Sequence, residues 1–288
     1  MTKVLVLGSS GMAGHVIVKY LSEDKKLDVY NINDKCPVND RTVIMDVSNI
    51  SVFEEYLERN SFDVIINCIG VLNQSAERFK DKAILLNSYL PHFIEQKYAE
   101  TETRLIHLST DCVFSGRAGS YTENAFRDGD TFYDRTKAVG EVINDKDLTF
   151  RMSIIGPDMN IGGIGLFNWL MGCNGAINGY LNAIWTGVTT IELAKAIKAS
   201  ICGRLTGLYH LVPHAAISKY ELLMKIEELF GLEHIIINKF ENTLVDKSLI
   251  NTRKDFAYEI PAYDEMLKEM RDWINNNKYL YPHYFLKE

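Results

Sequence analysis

The feature that most constrains the fold is a glycine-rich loop between a predicted strand and a predicted helix near the N-terminus. Residues 4–7 form a short apolar run rich in Val and Leu, which is typical of a buried strand. The pattern Gly-x-x-Gly-x-x-Gly follows at Gly8, Gly11 and Gly14, and a helical pattern continues from His15. In such a loop the first glycine makes the tight turn, the second lets backbone approach a pyrophosphate, and the third lets helix and strand pack closely. The helix N-terminus then offers free N–H groups to phosphates, so this start predicts a dinucleotide-binding α/β fold.

The alternation of strands and helices continues through the first half of the chain. Further strands are predicted at 28–32, 42–45, 63–70, 105–108 and 148–152. Helices are predicted from a capping box at Ser51 and Glu54 toward Arg59, over 79–97 with Pro91 limiting or bending it, and over 132–142. This rhythm predicts a doubly wound parallel Rossmann sheet.

The rhythm breaks at Gly156, where Gly and Asn become frequent. Beyond it we predict strands at 207–212 and 235–237, and helices over 191–201, from the cap Ser218 to 230, and over 261–273. No second glycine loop occurs there. We therefore expect an NAD(P)-binding Rossmann domain at 1–155, with 187–212 returning to it. Residues 156–186 and 213–288 would form a smaller C-terminal α/β lobe that holds the substrate.

Composition excludes several classes of function. The net charge of −7, from 38 acids against 31 bases, argues against broad electrostatic binding of nucleic acid. The five cysteines are scattered without a Cys-x-x-Cys pair, and no metal motif is present. No apolar run approaches the ~20 residues that span a bilayer, and no leader peptide is recognisable. We expect a cytoplasmic protein without a membrane, nucleic-acid or metal partner.

The end of the second strand carries a divided signal about the cofactor. In dinucleotide folds an acid at this point binds the ribose 2′-hydroxyl of NAD, whereas a cation accommodates the 2′-phosphate of NADP. Here Asn33 is followed by Asp34, which favours NAD, and Lys35, which permits NADP. After the third strand, Asp46 and Val47 stand where they can touch an adenine edge, or Asp46 is simply a solvated loop acid.

Tyr133 and Lys137 are the candidate proton-transfer pair. They lie four residues apart and therefore share one face of the predicted helix. A free tyrosine has a pKa of about 10, and a nearby cation lowers it. Thr110, at the end of the 105–108 strand, adds a hydroxyl that could hold a carbonyl oxygen.

Other candidates come from isolated polar and aromatic residues. Trp185 either stacks on a sugar or base or belongs to the core, and Lys247 and Arg253 either bind a diphosphate or are surface cations. His107 and His210 lie on predicted strands and are expected in the core. His214 lies in a loop and is the remaining histidine candidate.

Together these motifs resemble the extended short-chain dehydrogenase/reductase superfamily. Within it the chain is most similar to dTDP-4-dehydrorhamnose reductases and related nucleotide-sugar 4-ketoreductases. The resemblance rests on Ser-Thr-Asp-x-Val-Phe-x-Gly at 109–116, Thr-Lys-Ala-Val-Gly-Glu at 136–141 and Arg-Met-Ser at 151–153, besides the glycine loop and Tyr-x-x-x-Lys. It covers essentially the whole chain, most strongly residues 1–160.

The resemblance implies a reductase of the C4 ketone of a nucleotide-linked 4-keto-6-deoxy sugar, in synthesis of a surface polysaccharide precursor. Thr110 would orient the keto oxygen, Tyr133 would protonate it, and Lys137 would hold the nicotinamide ribose and lower the tyrosine pKa. The implied cofactor is NADP or NAD, with NADPH slightly favoured. Cofactor contacts are implied at Gly8, Ser10, Gly11 and Met12 for the pyrophosphate, Asn33 and Asp34 at the second strand, Asp46 and Val47 at adenine, and Cys68, Ile69 and Gly70 along the inner ribose.

Departures from the family pattern bear on the substrate, which we expect to contact Asp111, Cys112, Ile154, Trp185 and Arg253. Related 4,6-dehydratases have Glu where Cys112 stands, so dehydration is disfavoured. Cys112 matches the epimerising cysteine of GDP-fucose synthases, but the histidine of those enzymes has no counterpart between 156 and 169. Cys112 is therefore either an acid/base in an epimerase-reductase or a small pocket-lining side chain.

Ile154 replaces a Trp common in rhamnose reductases, which points away from dTDP-rhamnose itself and toward a dTDP- or UDP-linked sugar, with an acetamido sugar on UDP as one option. A non-catalytic role stays open, because the regulatory subunit of methionine adenosyltransferase resembles the same family. The partner expected is thus a nucleotide sugar, and a homodimer is left open.

Overall fold

A seven-stranded parallel sheet forms the centre of the computed structural model, which describes residues 1–285. Its first six strands are β1 (Thr2–Leu7), β2 (Leu27–Asn33), β3 (Thr42–Ile44), β4 (Val64–Asn67), β5 (Arg104–Thr110) and β6 (Leu148–Met152), and its seventh is Gly207–His210. The spatial order is seventh strand, β6, β5, β4, β1, β2, β3, and every pairing is parallel. This arrangement confirms the predicted doubly wound sheet.

The central strands are buried on both faces. The apolar part of β1 and all of β4 have no substantial exposure, which is why they read as continuous apolar runs rather than alternating ones. The strand order reverses between β1 and β4, and a crevice for ligands forms at the carboxyl ends of the strands at such a point. The helices that cover the two faces are Gly14–Ser22 and Thr190–Gly203 on one side, and Ile50–Arg59 and Leu90–Lys97 on the other.

The stretch before β5 differs from its prediction as a single helix over 79–97. It consists of the helices Asn73–Arg78, Lys80–Ala83 and Leu90–Lys97, with a π-helical turn at Ile84–Tyr89 before the last. Pro91 has no N–H to donate to the carbonyl of Asn87, and the wider π turn lies directly before it. A Cβ on Gly140 would come within 1.8 Å of that carbonyl oxygen, so Gly140 lets the two segments approach closely.

Two predicted helix caps have different outcomes. Ser51 is not the cap of its helix. The helix begins at Ile50, and the side chain of Asn49 accepts the hydrogen bond from the Val52 N–H. The prediction at Ser218 is confirmed, since Ser218 and Glu221 form a reciprocal capping box that starts Lys219–Phe230.

The second half of the chain adds short strands and helices beside the central sheet. Its strands are Ile154–Ile155, Gly175–Tyr180, Ala183–Trp185, Val188–Thr189, Ile217–Ser218, Ile235–Phe240 and Val245–Asp246, and its further helices are Leu166–Gly172, Lys219–Phe230 and Tyr263–Asn276. Among residues 1–285, the remaining elements are helix Phe132–Val139 and the short 3₁₀ turns Asp111–Val113, Lys278–Leu280 and Pro282–Tyr284.

The later strands connect back to the first half. Val188–Thr189 pairs with Ile154–Ile155, and Gly207–His210 pairs with β6, so the stretch between them packs on the central sheet. The Asp246 N–H donates to the Gly116 carbonyl at 2.8 Å, joining strand Val245–Asp246 to the segment after β5. The functional division into a cofactor domain and a substrate lobe stays a prediction. Among residues 1–285, no helix has both the length and the apolar character needed to cross a bilayer.

Candidate active site

The glycine loop forms a tight cradle that a side chain would fill. Gly8 has φ +80°, and a Cβ there would lie 2.9 Å from the Ile69 side chain. A Cβ on Gly14 would lie 2.1 Å from the Gly8 carbonyl oxygen, which no real side chain tolerates. No side chain caps the first turn of helix Gly14–Ser22. The loop therefore leaves backbone N–H groups open toward an anionic group.

Two neighbouring cavities, of about 610 and 250 Å³, lie at the carboxyl ends of the strands. Of the predicted site residues, the larger cavity is lined by Gly11, Met12, Cys68, Ile69, Gly70, Thr110, Asp111, Cys112, Tyr133, Lys137 and Ile154. The smaller is lined by Gly8, Ser10, Gly11, Asn33, Asp34, Asp46, Val47, Cys68, Ile69 and Gly70. Because Gly11 and residues 68–70 line both, the cavities form one groove past the glycine loop.

The end of β2 shapes one side of the smaller cavity. Asn33 is buried, and its side-chain amide bonds to neighbouring loops. Its Oδ1 accepts from the N–H groups of Lys35 and Cys36 at 2.9 and 3.0 Å. Its Nδ2 donates to Ser9 Oγ at 2.8 Å. Asp34 and Lys35 are exposed at the groove. Asp34 and Lys35 therefore lie side by side at the groove, and this end of β2 is compatible with both NAD and NADP.

Asp46 and Val47 line the far end of the smaller cavity. The Ser48 N–H donates to Asp46 Oδ1 at 2.9 Å, and hydrogen bonding from Ser48 holds the pKa of Asp46 below its usual value. Val47 is buried beneath it. This end of the groove combines an ionised hydrogen-bond acceptor with an apolar wall, which suits the edge and face of a heterocyclic base.

A buried asparagine that sequence reasoning did not assign holds the segment after β4. Asn87 Oδ1 accepts from the Val71 N–H at 2.7 Å, and Asn87 Nδ2 donates to the Val71 carbonyl at 2.9 Å and to Thr136 Oγ1 at 3.1 Å. It therefore ties the wall next to Gly70 to the helix that carries Tyr133. The available signal was a polar residue within an apolar helical stretch, which the sequence alone does not distinguish from a surface position.

Tyr133, Lys137 and Thr110 meet in the larger cavity. Helix Phe132–Val139 starts with a capping box from Thr131 and places Tyr133 and Lys137 on its buried face. Lys137 Nζ donates to the Leu108 carbonyl at 2.7 Å. Thr110 Oγ1 accepts from the Cys112 N–H at 3.1 Å. The residues that the sequence singled out for proton transfer and carbonyl binding are thus brought together.

Burial shifts the pKa of Tyr133 in the direction opposite to the one that the sequence predicts. Burial, with a contribution from Cys112, raises the pKa of Tyr133 above its ordinary value, while the nearby Thr110 hydroxyl acts the other way. The expected lowering of the Tyr133 pKa is therefore wrong for this state of the protein. Burial lowers the pKa of Lys137 to about 8, although Glu141 and Cys68 oppose the shift. Tyr133 is a neutral phenol at neutral pH, with its proton available for donation.

Asp111 and Cys112 form the side of the cavity that faces the second half of the chain. Burial raises the pKa of Asp111, and Lys219 and Lys247 oppose this. Burial, reinforced by Asp111, raises the pKa of the Cys112 thiol to about 12. A thiol with this pKa carries its proton at neutral pH, which favours a pocket-lining role over that of a base.

Two lysines converge on this side. Lys247, considered in the sequence as a diphosphate ligand, has its pKa raised by Cys112, Asp134 and Asp111 despite burial. Lys219 was not singled out by sequence reasoning. It is the first residue of the capped helix Lys219–Phe230, and its ammonium lies 5.2 Å from the Trp185 ring centroid. A lysine just after a helix cap is common on protein surfaces, so the sequence gives no indication that Lys219 lies near Asp111.

Two predicted substrate residues lie elsewhere. Trp185 is only 3% exposed and packs against Tyr263 in the core, with ring centroids 5.8 Å apart, and it does not line either cavity. Arg253 donates to the Leu208 carbonyl at 2.9 Å and pairs with Asp255. It sits at the start of the seventh strand, at the opposite end of the sheet from Thr110. Both assignments to the substrate site are corrected: Trp185 is a core residue and Arg253 a structural one.

A buried ion pair supports the end of β5. Glu141 accepts from Arg151 Nε at 2.7 Å and Nη2 at 2.6 Å, and from Ser109 Oγ at 2.6 Å. His210, expected in the core, is buried and contacts Arg151 Nη1 at 2.9 Å through its Nε2. These contacts hold the backbone that precedes Thr110. His214, the loop candidate, is exposed and lines neither cavity.

A loop after β6 covers part of the groove, and none of its residues was among the predicted site residues. Asp158, Asn160 and the range 162–164 line the larger cavity, and Asn160 Nδ2 donates to the Ser10 carbonyl at 3.4 Å. A Cβ on Gly165 would lie 3.3 Å from the Met12 sulfur. The Gly- and Asn-rich composition of this stretch was the signal that marked it as irregular, but composition does not tell which residues reach the glycine loop.

Comparisons with known proteins agree with this geometry. The family model described as the RmlD substrate binding domain matches residues 1–155. A dTDP-4-dehydrorhamnose reductase structure from Clostridium acetobutylicum is 22% identical, with a TM-score of 0.78, over 95% of this chain and 100% of that one. The Bacillus anthracis dTDP-4-dehydrorhamnose reductase in complex with NADP is 20% identical, with a TM-score of 0.79, over 95% of this chain and 99% of that one. At these identities the likeness shows the shared fold, and no curated protein sequence matches the chain.

Proposed function

This chain belongs to the family of the RmlD substrate binding domain, and from that premise we propose that it is an NAD(P)-dependent reductase of a nucleotide-sugar ketone. The reaction is reduction of the C4 ketone of a dTDP- or UDP-linked 4-keto-6-deoxy sugar. The observation that carries the proposal is that Thr110, Tyr133 and Lys137 line one cavity with the glycine loop. Solved structures of the same fold named as dTDP-4-dehydrorhamnose reductases, one of them in complex with NADP, support the choice of reaction.

The groove fits a dinucleotide on three observations. The cradle at Gly8 and Gly14 has no room for side chains, the helix after it has no side-chain cap, and the groove continues to the acceptor and apolar wall at Asp46 and Val47. Gly11 and Met12 would hold the pyrophosphate, and Cys68 to Gly70 would border the inner ribose. When bound, the reduced nicotinamide supplies the hydride. Asp34 and Lys35 keep both NADH and NADPH within the proposal, with NADPH slightly favoured.

Tyr133 is the proton donor. Addition of hydride to a ketone places negative charge on its oxygen, and an acid positioned there captures it. Because burial keeps Tyr133 protonated, the phenol holds its proton until that charge develops. The proton moves from the phenolic oxygen to the sugar oxygen, and the phenolate left behind is reprotonated before the next turnover.

Thr110 and Lys137 position the reacting groups. The Thr110 hydroxyl lies at the cavity and now donates to Asp111 Oδ1 at 3.2 Å, so it can turn to donate to a keto oxygen instead. Lys137 is held by the Leu108 carbonyl. Its remaining N–H bonds would hold a ribose hydroxyl of the bound cofactor. Cys112 lines the pocket, and Ile154, which also lines it, borders the sugar. An acetamido sugar on UDP is one candidate, and the product would enter synthesis of a surface polysaccharide.

The test is turnover with a panel of dTDP-, UDP- and GDP-linked 4-keto-6-deoxy sugars, each offered with NADH and with NADPH. Mass spectrometry should show a product with two more hydrogens and matching oxidation of the cofactor. Run in deuterated water, the product should carry no deuterium on carbon at C3 or C5, because Cys112 does not act as a base. Cofactor binding without turnover of any panel member would contradict the proposal and favour a binding module.

A further inference from the structure

A histidine that the proposed mechanism does not use contacts the catalytic lysine. His107 lies on β5, is completely buried, and places its Nε2 3.3 Å from Lys137 Nζ. Its other ring nitrogen, Nδ1, lies 3.2 Å from Asn67 Nδ2 on the neighbouring strand β4. A chain of contacts thus runs from Asn67 through the imidazole to Lys137.

The orientation of the Asn67 amide follows from a backbone donor. The Ile69 N–H donates to Asn67 Oδ1 at 3.0 Å, and a backbone N–H can only donate. Oxygen is therefore at Ile69, and the amide NH₂ faces His107. Since an amide NH₂ also only donates, His107 Nδ1 must accept, and the proton of the neutral ring stands on Nε2.

This tautomer has a consequence for Lys137. Burial and the nearby Lys137 charge lower the pKa of His107 well below its usual value, so the ring is neutral. Its Nε2–H then points at Lys137 Nζ. An ammonium has no lone pair to accept that hydrogen, whereas a neutral amine does. The contact with the Leu108 carbonyl survives in both states, because the amine still has N–H bonds to donate.

Some groups around Lys137 favour its ammonium and others favour its neutral amine. Glu141, four residues after Lys137, favours the ammonium, but that carboxylate is already paired with Arg151 and Arg127 and accepts a hydrogen bond from Ser109. Cys68, from the end of β4, also favours the ammonium, but burial raises the pKa of its thiol to about 12. His107, from β5, is the group that faces the amine with a hydrogen. The tyrosine on the same helix, four residues earlier, is neutral.

We propose that Asn67 and His107 act as a positioning pair for Lys137: Asn67 fixes the ring tautomer, and the Nε2–H makes the lysine give up its proton more readily. Neither residue touches the reacting atoms. The catalytic consequence, a lysine that can return a proton toward the Tyr133 phenolate after each turnover, rests on the proposed function. The tautomer and the proton affinity of Lys137 do not.

The direct test is NMR on the whole protein. Correlation of ring ¹⁵N and ¹H in ¹⁵N-histidine protein should show His107 protonated at Nε2, with its signals assigned by their loss in His107→Gln. The Lys137 titration is followed through its ¹³Cε shift and assigned with Lys137→Met. The informative variant is Asn67→Asp, whose carboxylate keeps an acceptor for Ile69 but accepts from Nδ1, and so moves the ring proton there. The Lys137 midpoint should then rise by about one pH unit, a tenfold gain in proton affinity.

A His107→Phe background separates the ring from the added charge. In that background, the Asn67→Asp change should move the Lys137 midpoint by less than about a third of the shift that it causes when His107 is present. A wild-type ring protonated at Nδ1 would overturn the proposal, and so would equal shifts with and without the ring. If the variants do not fold, a wild-type ring protonated at Nδ1 still overturns the proposal. The high-pH limb of the ketosugar turnover profile should move upward with the midpoint. Absence of turnover would refute the proposed function without altering the NMR result.

Discussion

Removing the charge of Glu141 should destabilise the protein far more than removing an exposed carboxylate. The Arg151 guanidinium is 1% exposed and the Glu141 side chain fully buried, and they pair through two hydrogen bonds of 2.7 and 2.6 Å. Removing one partner of such a pair leaves an uncompensated buried charge, which costs about 3–5 kcal/mol. Glu141→Gln keeps the shape and can keep neutral hydrogen bonds, so we expect a loss of about 3 kcal/mol, at the lower end of this range.

The matched control is Glu55→Gln, which removes the same charge from an exposed pair. Glu55 and Arg59 lie one helical turn apart, with side chains 56% and 72% exposed. Such pairs contribute only about 0.3–0.5 kcal/mol. Urea denaturation at pH 7, followed by circular dichroism, measures both losses. Similar losses for the two variants would refute the argument that Glu141 neutralises a buried charge.

The pH dependence of the Glu141 effect has a definite sign. Burial alone would raise the pKa of Glu141, but Arg151 and Ser109 lower it below the value of about 4.3 of an unfolded chain. A carboxylate whose folded pKa is lowered contributes stability that is present above the unfolded pKa and is lost as pH falls through the folded one. The stability difference between wild type and Glu141→Gln should therefore be largest above about pH 5 and shrink in acid.

Three further predictions concern the groove. Gly14→Ala should weaken NAD(P)H binding, measured by fluorescence titration, by at least about tenfold, because its Cβ would lie 2.1 Å from backbone; Gly172→Ala, with open space around it, should not. Asn87→Leu should raise the KM for the cofactor and cost about 1–3 kcal/mol in urea denaturation, because it leaves the Val71 N–H and carbonyl unpaired; an unchanged KM would count against its role in shaping the wall. Cys112→Ala should retain turnover within about threefold, and a loss of a hundredfold would restore Cys112 as an acid/base.

The parts of the groove that depend on local pattern could be predicted from the sequence. The turn at Gly8, the strand before it and the helix after it are encoded within a few consecutive residues. Tyr133 and Lys137 share a helix face for the same reason, since helical spacing alone places them together. Thr110 is the last residue of the buried strand β5, so it lies at the carboxyl end of the sheet with the others.

What the sequence did not reveal depends on contacts between distant segments. Asn87 reaches Val71 and Thr136 only after the sheet has formed, and Lys219 approaches Asp111 from the other half of the chain. Arg253 suggests a diphosphate ligand because it is a cation in the predicted substrate lobe. Its backbone partners, the carbonyls of Thr206 and Leu208, lie at the end of the sheet opposite Thr110. The Tyr133 pKa was misjudged because a neighbouring cation is visible in the sequence and the extent of burial is not.

The measurement that tests the central claim most directly is turnover by Tyr133→Phe. Tyr263→Phe is its control, because that tyrosine is equally buried but lies outside the groove. With the ketosugar accepted by the wild type, Tyr133→Phe should lose about 10²–10⁴-fold in kcat, while its Kd for the reduced cofactor stays within about threefold and Tyr263→Phe keeps wild-type turnover. Turnover by Tyr133→Phe at the wild-type rate would contradict the assignment of the proton donor and, with it, the account of this site.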